Sequence, residues 1–262
     1  MHKKIKEFYK ENKKSSLVCY LILRVLVIIC MVLQLIHKNY PNVILCLFTL
    51  ILFTIPYFVN KRLKITIPDA LEIIAYLFIF SAEILGEIQN FYGLFPHWDT
   101  MLHTLNGFLC AAVGFSLVDI LNRSEKFHLN MSPFFVSLVA FCFSMTVGVL
   151  WEFFEFGGDM LLKKDMQKDR VVQEISTVTL HPDGENIPVI IDDIKYTIIY
   201  SGDDLKETKI EKGYLDIGLI DTMKDLLVNF IGAVVFSCFG FLYIENRDRF
   251  KFVEGLLPTR QD

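Results

Sequence analysis

Acidic side chains occur in this chain where an apolar sequence should have none, and one histidine is among them. Glu83 and Glu87, Asp99 and His103, and Asp221 and Asp225 are each four residues apart, and Glu152 and Glu155 are three apart. On a helix these spacings put both members of a pair on one face. Asn229 continues the Asp221/Asp225 stripe by one more turn. Carboxylates with a single imidazole suit a hard or borderline divalent cation, so Mg, Mn, Ca and Zn are the candidate cofactors. Asp99, His103, Glu152, Glu155, Asp221 and Asp225 are the candidate metal ligands. His103, Glu152 and Asp225 are also the candidate catalytic groups, as general acid or base. Without a metal, so many clustered acids could not all stay ionised, and some would be ready for proton transfer. Plainer roles compete at four positions. Asp99 and Asp221 stand at helix starts, where a carboxylate caps and complements the dipole. Glu87 and Glu155 fall close to a span end, where hydration alone accounts for a charge.

The elements that must hold these groups follow from composition. Hydrophobic residues make up 53% of the 262 positions and mean hydropathy is +0.43, yet 21% of residues are charged. The apolar residues must therefore be concentrated in blocks. Such a chain is not disordered, and it does not read as an ordinary soluble enzyme. The net charge of −4 leaves no basic face for nucleic acid once the span flanks are counted. Six blocks approach the roughly 20 residues that cross a bilayer: 17–36, 42–59, 70–88, 101–121, 132–156 and 223–244. Lys3, Lys4, Lys6, Lys10, Lys13, Lys14, Lys61, Arg62, Lys64, Arg123, Lys126, Arg247, Arg249, Lys251 and Arg260 all fall on one side of that arrangement. The two short loops of the other side carry only Lys38. The positive-inside rule then makes both termini cytoplasmic. With that orientation every acid–His pair lies in the outer third to half of the bilayer, and four helices bring acids to one depth. A charge at mid-span costs about 2.5–3.5 kcal/mol on insertion scales, so these groups need partners or a wet cavity. Phe91, Tyr92, Phe95 and Trp98 form an aromatic belt at the external interface. Gly157-Gly158 reads as the end of the fifth span.

The expected fold is all-α and polytopic, with six transmembrane helices and a small β-rich extracytoplasmic insertion between helices 5 and 6. Residues 1–66 are a basic tail and a transmembrane hairpin. Residues 67–157 and 220–245 are the core bundle, 158–219 the insertion and 246–262 a cytoplasmic tail. Within the insertion Val171–Thr179, Ile187–Ile191 and Ile194–Ser201 read as strands, separated by Pro182-Asp183-Gly184 and Asp192-Asp193. All six cysteines lie in apolar spans with no CxxC spacing, as small apolar fillers would. None of the P-loop, GxSxG, HExxH or Rossmann patterns occurs.

The runs LGEIQNFYGLFPHWDTMLHTLNGF (85–108), GVLWEFFEFGGDMLLKKDMQ (148–167) and LIDTMKDLLVNFIGA (219–233) resemble the YjdF-like bacterial membrane-spanning proteins. More loosely, they are similar to the VanZ-like group. The resemblance covers about residues 67–245 and matches at Glu87, Asp99, His103, Glu152, Glu155, Asp159, Asp221, Asp225, Asn229 and Gly232. It implies a multi-pass protein of the bacterial plasma membrane and supplies no reaction.

Three function classes remain. The first is a metal-dependent enzyme acting at the outer leaflet on a lipid or lipid-linked envelope substrate. The second is a transporter-like protein that binds ions or protons, and the third a non-catalytic envelope protein. The six spans show no inverted repeat, which speaks against alternating access. An acid cluster without basic partners speaks against a purely structural role.

Overall fold

The structure, a computed structural model, describes residues 2–63, 65–122 and 130–260. Lys64, Arg123 and Lys126 of the basic flanks lie outside the described residues. The chain divides into two units, residues 1–148 with 227–262, and Val149–Leu226.

The first unit opens with α1 (His2–Ile36), α2 (Tyr40–Leu52) and α3 (Ile55–Leu63). Asn39 caps α2, its side chain accepting from the Asn42 amide. Pro56 at the second position of α3 has no N–H to continue the ladder, which accounts for the break at Phe53–Thr54. β1 (Ile65–Thr66) leads into α4 (Asp69–Phe80), a π-helical stretch Ser81–Ile88, and the single turn α5 (Phe91–Leu94). Then come α6 (Trp98–Asn122) and α7 (Pro133–Leu162), the latter running on into the second unit. α8 (Leu219–Glu245) begins in the second unit and returns to the first, where a 3-10 turn (Lys251–Leu256) and β8 (Thr259–Arg260) follow. β8 pairs antiparallel with β1.

Among the described residues five helical stretches are long and apolar enough to cross a membrane: Ser15–Ile36, Tyr40–Arg62, Trp98–Asn122, Pro133–Leu161 and Leu219–Glu245. The span expected at 70–88 takes a different form, an α-helix that widens to π after Phe80. Two contacts accompany the change. The Trp98 indole N–H donates to the Ser81 carbonyl at 3.2 Å, giving a partner to an acceptor in the widened turn. Gly86 lies under the Tyr92 ring, where a Cβ would come within 2.4 Å of a ring carbon.

Two apolar clusters hold this unit. Ala111, Phe115, Val136, Ala140, Ala233 and Phe236 join α6, α7 and α8, with Phe108 edge-on to Phe236 at 5.0 Å. Leu23, Val27, Cys46, Phe53, Tyr76 and Ile84 join α1, α2, α4 and the π-helical stretch.

In the second unit the strands are β2 (Val171–Val172), β3 (Ile175–Thr177), β4 (Val189–Ile191), β5 (Tyr196–Ser201), β6 (Lys206–Glu211) and β7 (Tyr214–Leu215). They form antiparallel pairs β2–β7, β3–β4 and β5–β6, not one meander. β6, KETKIE, carries no apolar alternation and is not expected from sequence; cross-strand pairing with β5 makes it a strand. The helix end expected at Gly157-Gly158 is not there, since α7 continues to Leu162. Gly158 is buried, and a Cβ on it would lie 2.5 Å from the Met166 sulfur, so this glycine serves close approach inside the helix.

Candidate functional site

α6, α7 and α8 each bury a stripe that is apolar along part of its length and polar along the rest. On α8 the buried positions Asp221, Asp225, Asn229, Ala233 and Phe236 follow one another at helical spacing. The α6 stripe runs His103, Gly107, Ala111, Phe115. On α7 it runs Ser137, Ala140, Ser144, Gly148, Glu152.

In the first unit the three helices meet around Asn229, only 1% exposed. Asn106 Nδ2 donates to its Oδ1 at 3.1 Å, and Ser144 Oγ donates to the Gly107 carbonyl at 2.7 Å. The approach is close enough to require glycine. A Cβ on Gly107 would lie 2.0 Å from the Asn229 carbonyl oxygen, and one on Gly232 would lie 2.0 Å from that of Thr104. At Gly148 a Cβ would come within 2.7 Å of Asn229 Nδ2. The small residues of these spans are thus the points of helix contact. Asn106 is uncharged and so does not stand out in the sequence; its three-residue offset from His103 on an apolar helix is the signal that could have found it.

On α6, His103 is 8% exposed and its Nε2 lies 3.4 Å from Asp99 Oδ1. A charge-assisted N–H···O bond is shorter, about 2.7–2.9 Å. Two ligand atoms about 2.1 Å from one tetrahedral ion stand about 3.4 Å apart. The pair therefore has a spacing that a shared cation would accept, with neutral imidazole as the nitrogen donor.

In the second unit Glu152 and Asp225 are among the most buried polar residues, 4% and 2% exposed. Asp221 is equally buried but has a different task. Arg170 Nη2 donates to its Oδ1 at 2.7 Å, and the Lys168 amide donates to its Oδ2 at 3.0 Å. Both carboxylate oxygens are thus used to tie residues 168–170 to the start of α8. Nothing in the spacing of the sequence points to Arg170. Glu155 accepts from the Trp151 indole N–H at 2.8 Å on an exposed face. Asp159 accepts the Met166 and Gln167 amides at 2.6 and 2.9 Å, closing the turn after α7. Glu83 is half-buried on the π-helical stretch and Glu87 is exposed.

A relative from Thermotoga maritima, itself called an uncharacterized protein, is 30% identical over 107 residues, 41% of this chain. The chain spans about half, 53%, of that relative's length. No solved structure matches. A family model described as "Predicted membrane protein (DUF2238)" matches residues 19–246, most of the chain and all of α6, α7 and α8. With its apolar helices and the acids buried along them, the chain belongs to this family of membrane proteins.

Proposed function

We propose that this protein binds a divalent cation through the Asp99–His103 pair of α6, with Asp225 and Glu152 as the further candidate ligands that the sequence spacing offers. The observation that carries the reading is the meeting of three helices at Asn229. α6 and α8 run parallel through that contact and α7 antiparallel to them. One turn from that contact along its own helix, α6 carries His103. The 3.4 Å between His103 and Asp99 supports the same reading. One imidazole with carboxylates suits Zn or Mn better than a soft metal. Glu155 accepts from Trp151, and Asp221 from Arg170 and the Lys168 amide; we assign Asp221 to fastening residues 168–170.

The protein is read as a multi-pass protein of the bacterial plasma membrane, in line with its resemblance to the YjdF-like and VanZ-like proteins. Counted as a sixth crossing, the helical stretch Asp69–Ile88 would return both termini to the cytoplasm. The site then opens to the outer side. A cation there would polarise a phosphoryl or carbonyl oxygen of a lipid-linked envelope substrate, and Glu152 would move the proton.

The test is metal analysis and thermal unfolding of the full chain in detergent. Saturating Zn or Mn at about a hundred times Kd should stabilise by about 2.7 kcal/mol, and His103→Ala or Asp225→Asn should remove that gain. Asp221→Asn should lower the unfolding temperature and leave metal affinity unchanged. Absence of copurifying metal together with no stabilisation by Zn, Mn, Mg or Ca overturns the site. Loss of affinity in Asp221→Asn alone overturns the ligand assignment.

A further inference from the structure

One feature of the second unit plays no part in the cation site: the unguarded edge of β5. The β5–β6 hairpin pairs Tyr196 with Glu211 through Ser201 with Lys206. Lys212 N–H donates to the Lys195 carbonyl at 2.9 Å, which sets the phase of the ladder. Residues 195, 197, 199 and 201 turn their backbone groups toward β6, so those of Tyr196, Ile198 and Tyr200 point to the opposite edge. At the start of that edge the Ile194 amide donates to the Gln173 carbonyl. Beyond it, among the described residues, no strand pairs with β5 except β6.

The two edges of the hairpin differ in chemistry. β6 carries Lys206, Glu207, Lys209 and Glu211, the charged residues that natural sheets use to block edge pairing. β5, YTIIYS, has no charge, no proline and no glycine. Tyr196 is 52% exposed, Ile199 46% and Tyr200 60%. A bare six-residue edge with exposed aromatic and β-branched side chains is a template for another strand.

We propose that β5 pairs antiparallel with β5 of a second copy of this chain, giving a four-stranded sheet in a symmetric dimer. The charge at the ends of the strand selects this occupant. Lys195 precedes β5, and Asp203 and Asp204 follow it. Antiparallel pairing about Ile199 sets Ile198 opposite the partner's Tyr200, and Tyr196 opposite its Gly202. It also brings Lys195 beside Asp203 at both ends. Parallel pairing would stack Lys195 on Lys195. The present partner of Lys195 is Asp193, and both are more than 70% exposed, so exchanging that pair costs little. The outer edges of the new sheet are the charged β6 strands, so growth stops at two copies.

The experiment uses the full chain in mild detergent. Ile199→Cys faces itself across the two-fold axis at a non-hydrogen-bonded position, with Cα atoms about 4.5 Å apart, within reach of a disulfide. Oxidation should yield a covalent dimer from Ile199→Cys and none from wild type, whose cysteines all lie in helices, nor from Thr208→Cys on the guarded edge. By light scattering, Lys195→Asp should weaken dimerisation about tenfold, and adding Asp203→Lys should restore it. A monomeric wild type at micromolar concentration, equal cross-linking at positions 199 and 208, or a dimer indifferent to the charge swap overturns the proposal. So does an Ile199→Cys adduct with a different protein.

Discussion

Asp221 and Asp225 stand one turn apart on α8 and are buried to nearly the same degree, and Asp221 makes a salt bridge to Arg170. A buried carboxylate must find compensation, and the kind of compensation separates a fastening residue from a candidate ligand. Asp216 shows another kind. It accepts the amides of Arg170 at 2.7 Å, Gly218 at 3.2 Å and Ile220 at 2.8 Å. Burial works to raise its pKa, but the donors from Arg170, Ile220 and Gly218 outweigh it and hold the carboxyl below its usual value. A depressed folded value means the stabilisation is present above the unfolded pKa of about 3.9 and is lost as pH falls through the folded value. Proteolysis within residues 163–218 should therefore stay slow from pH 7 to about 5 and accelerate below about 4. Asp216→Asn should be cut faster at pH 7 and lose that dependence. Asp169, raised by burial and then by Asp165, Asp216 and Asp159, acts in the opposite direction, and Asp216→Asn relieves part of that raise as well. A profile unchanged by Asp216→Asn would rule this role out.

At the scale of elements, glycines do opposite things. Gly107 and Gly232 let α6 and α8 touch backbone to backbone, and each is met by a carbonyl oxygen of the other helix. Gly107→Ala has no room and should destabilise by about 1–3 kcal/mol, the usual cost of overpacking. Gly157 lies inside α7, and a Cβ added there would meet nothing within 4 Å. Gly157→Ala should stabilise by up to about 1 kcal/mol through helix propensity alone. Thermal unfolding in detergent measures both, and equal effects would remove the distinction. The sequence spacing reveals that small residues recur along these helices, but not which of them face a backbone. Nor does it foretell the π-helical turn after Phe80, because Ser81–Ile88 has ordinary helix-forming composition. Its contacts with Trp98 and Tyr92 lie outside the segment.

At the scale of the whole molecule, orientation in the bilayer is the quantity on which the outer site depends. A His97→Cys variant, at the turn before α6, should react with a membrane-impermeant maleimide added outside intact cells. Labelling only after cell lysis would reverse the topology and move the acid–His pairs to the inner side. Much here was already determined by the amino-acid sequence. Long apolar blocks have to be membrane helices, since nothing else satisfies their backbone in hydrocarbon. Polar residues at helical spacing within such blocks mark the faces turned inward, and His103, Glu152 and Asp225 were legible as buried for that reason. Tertiary structure alone decided which acids are already spoken for. Arg170 lies 51 residues from Asp221, and Asn106 lies 123 from Asn229. Helical periodicity reaches only one or two turns along the chain, while a partner across the bundle is chosen by packing. The sequence could therefore name the faces that carry charge, and only the fold could say which charge ties down a loop.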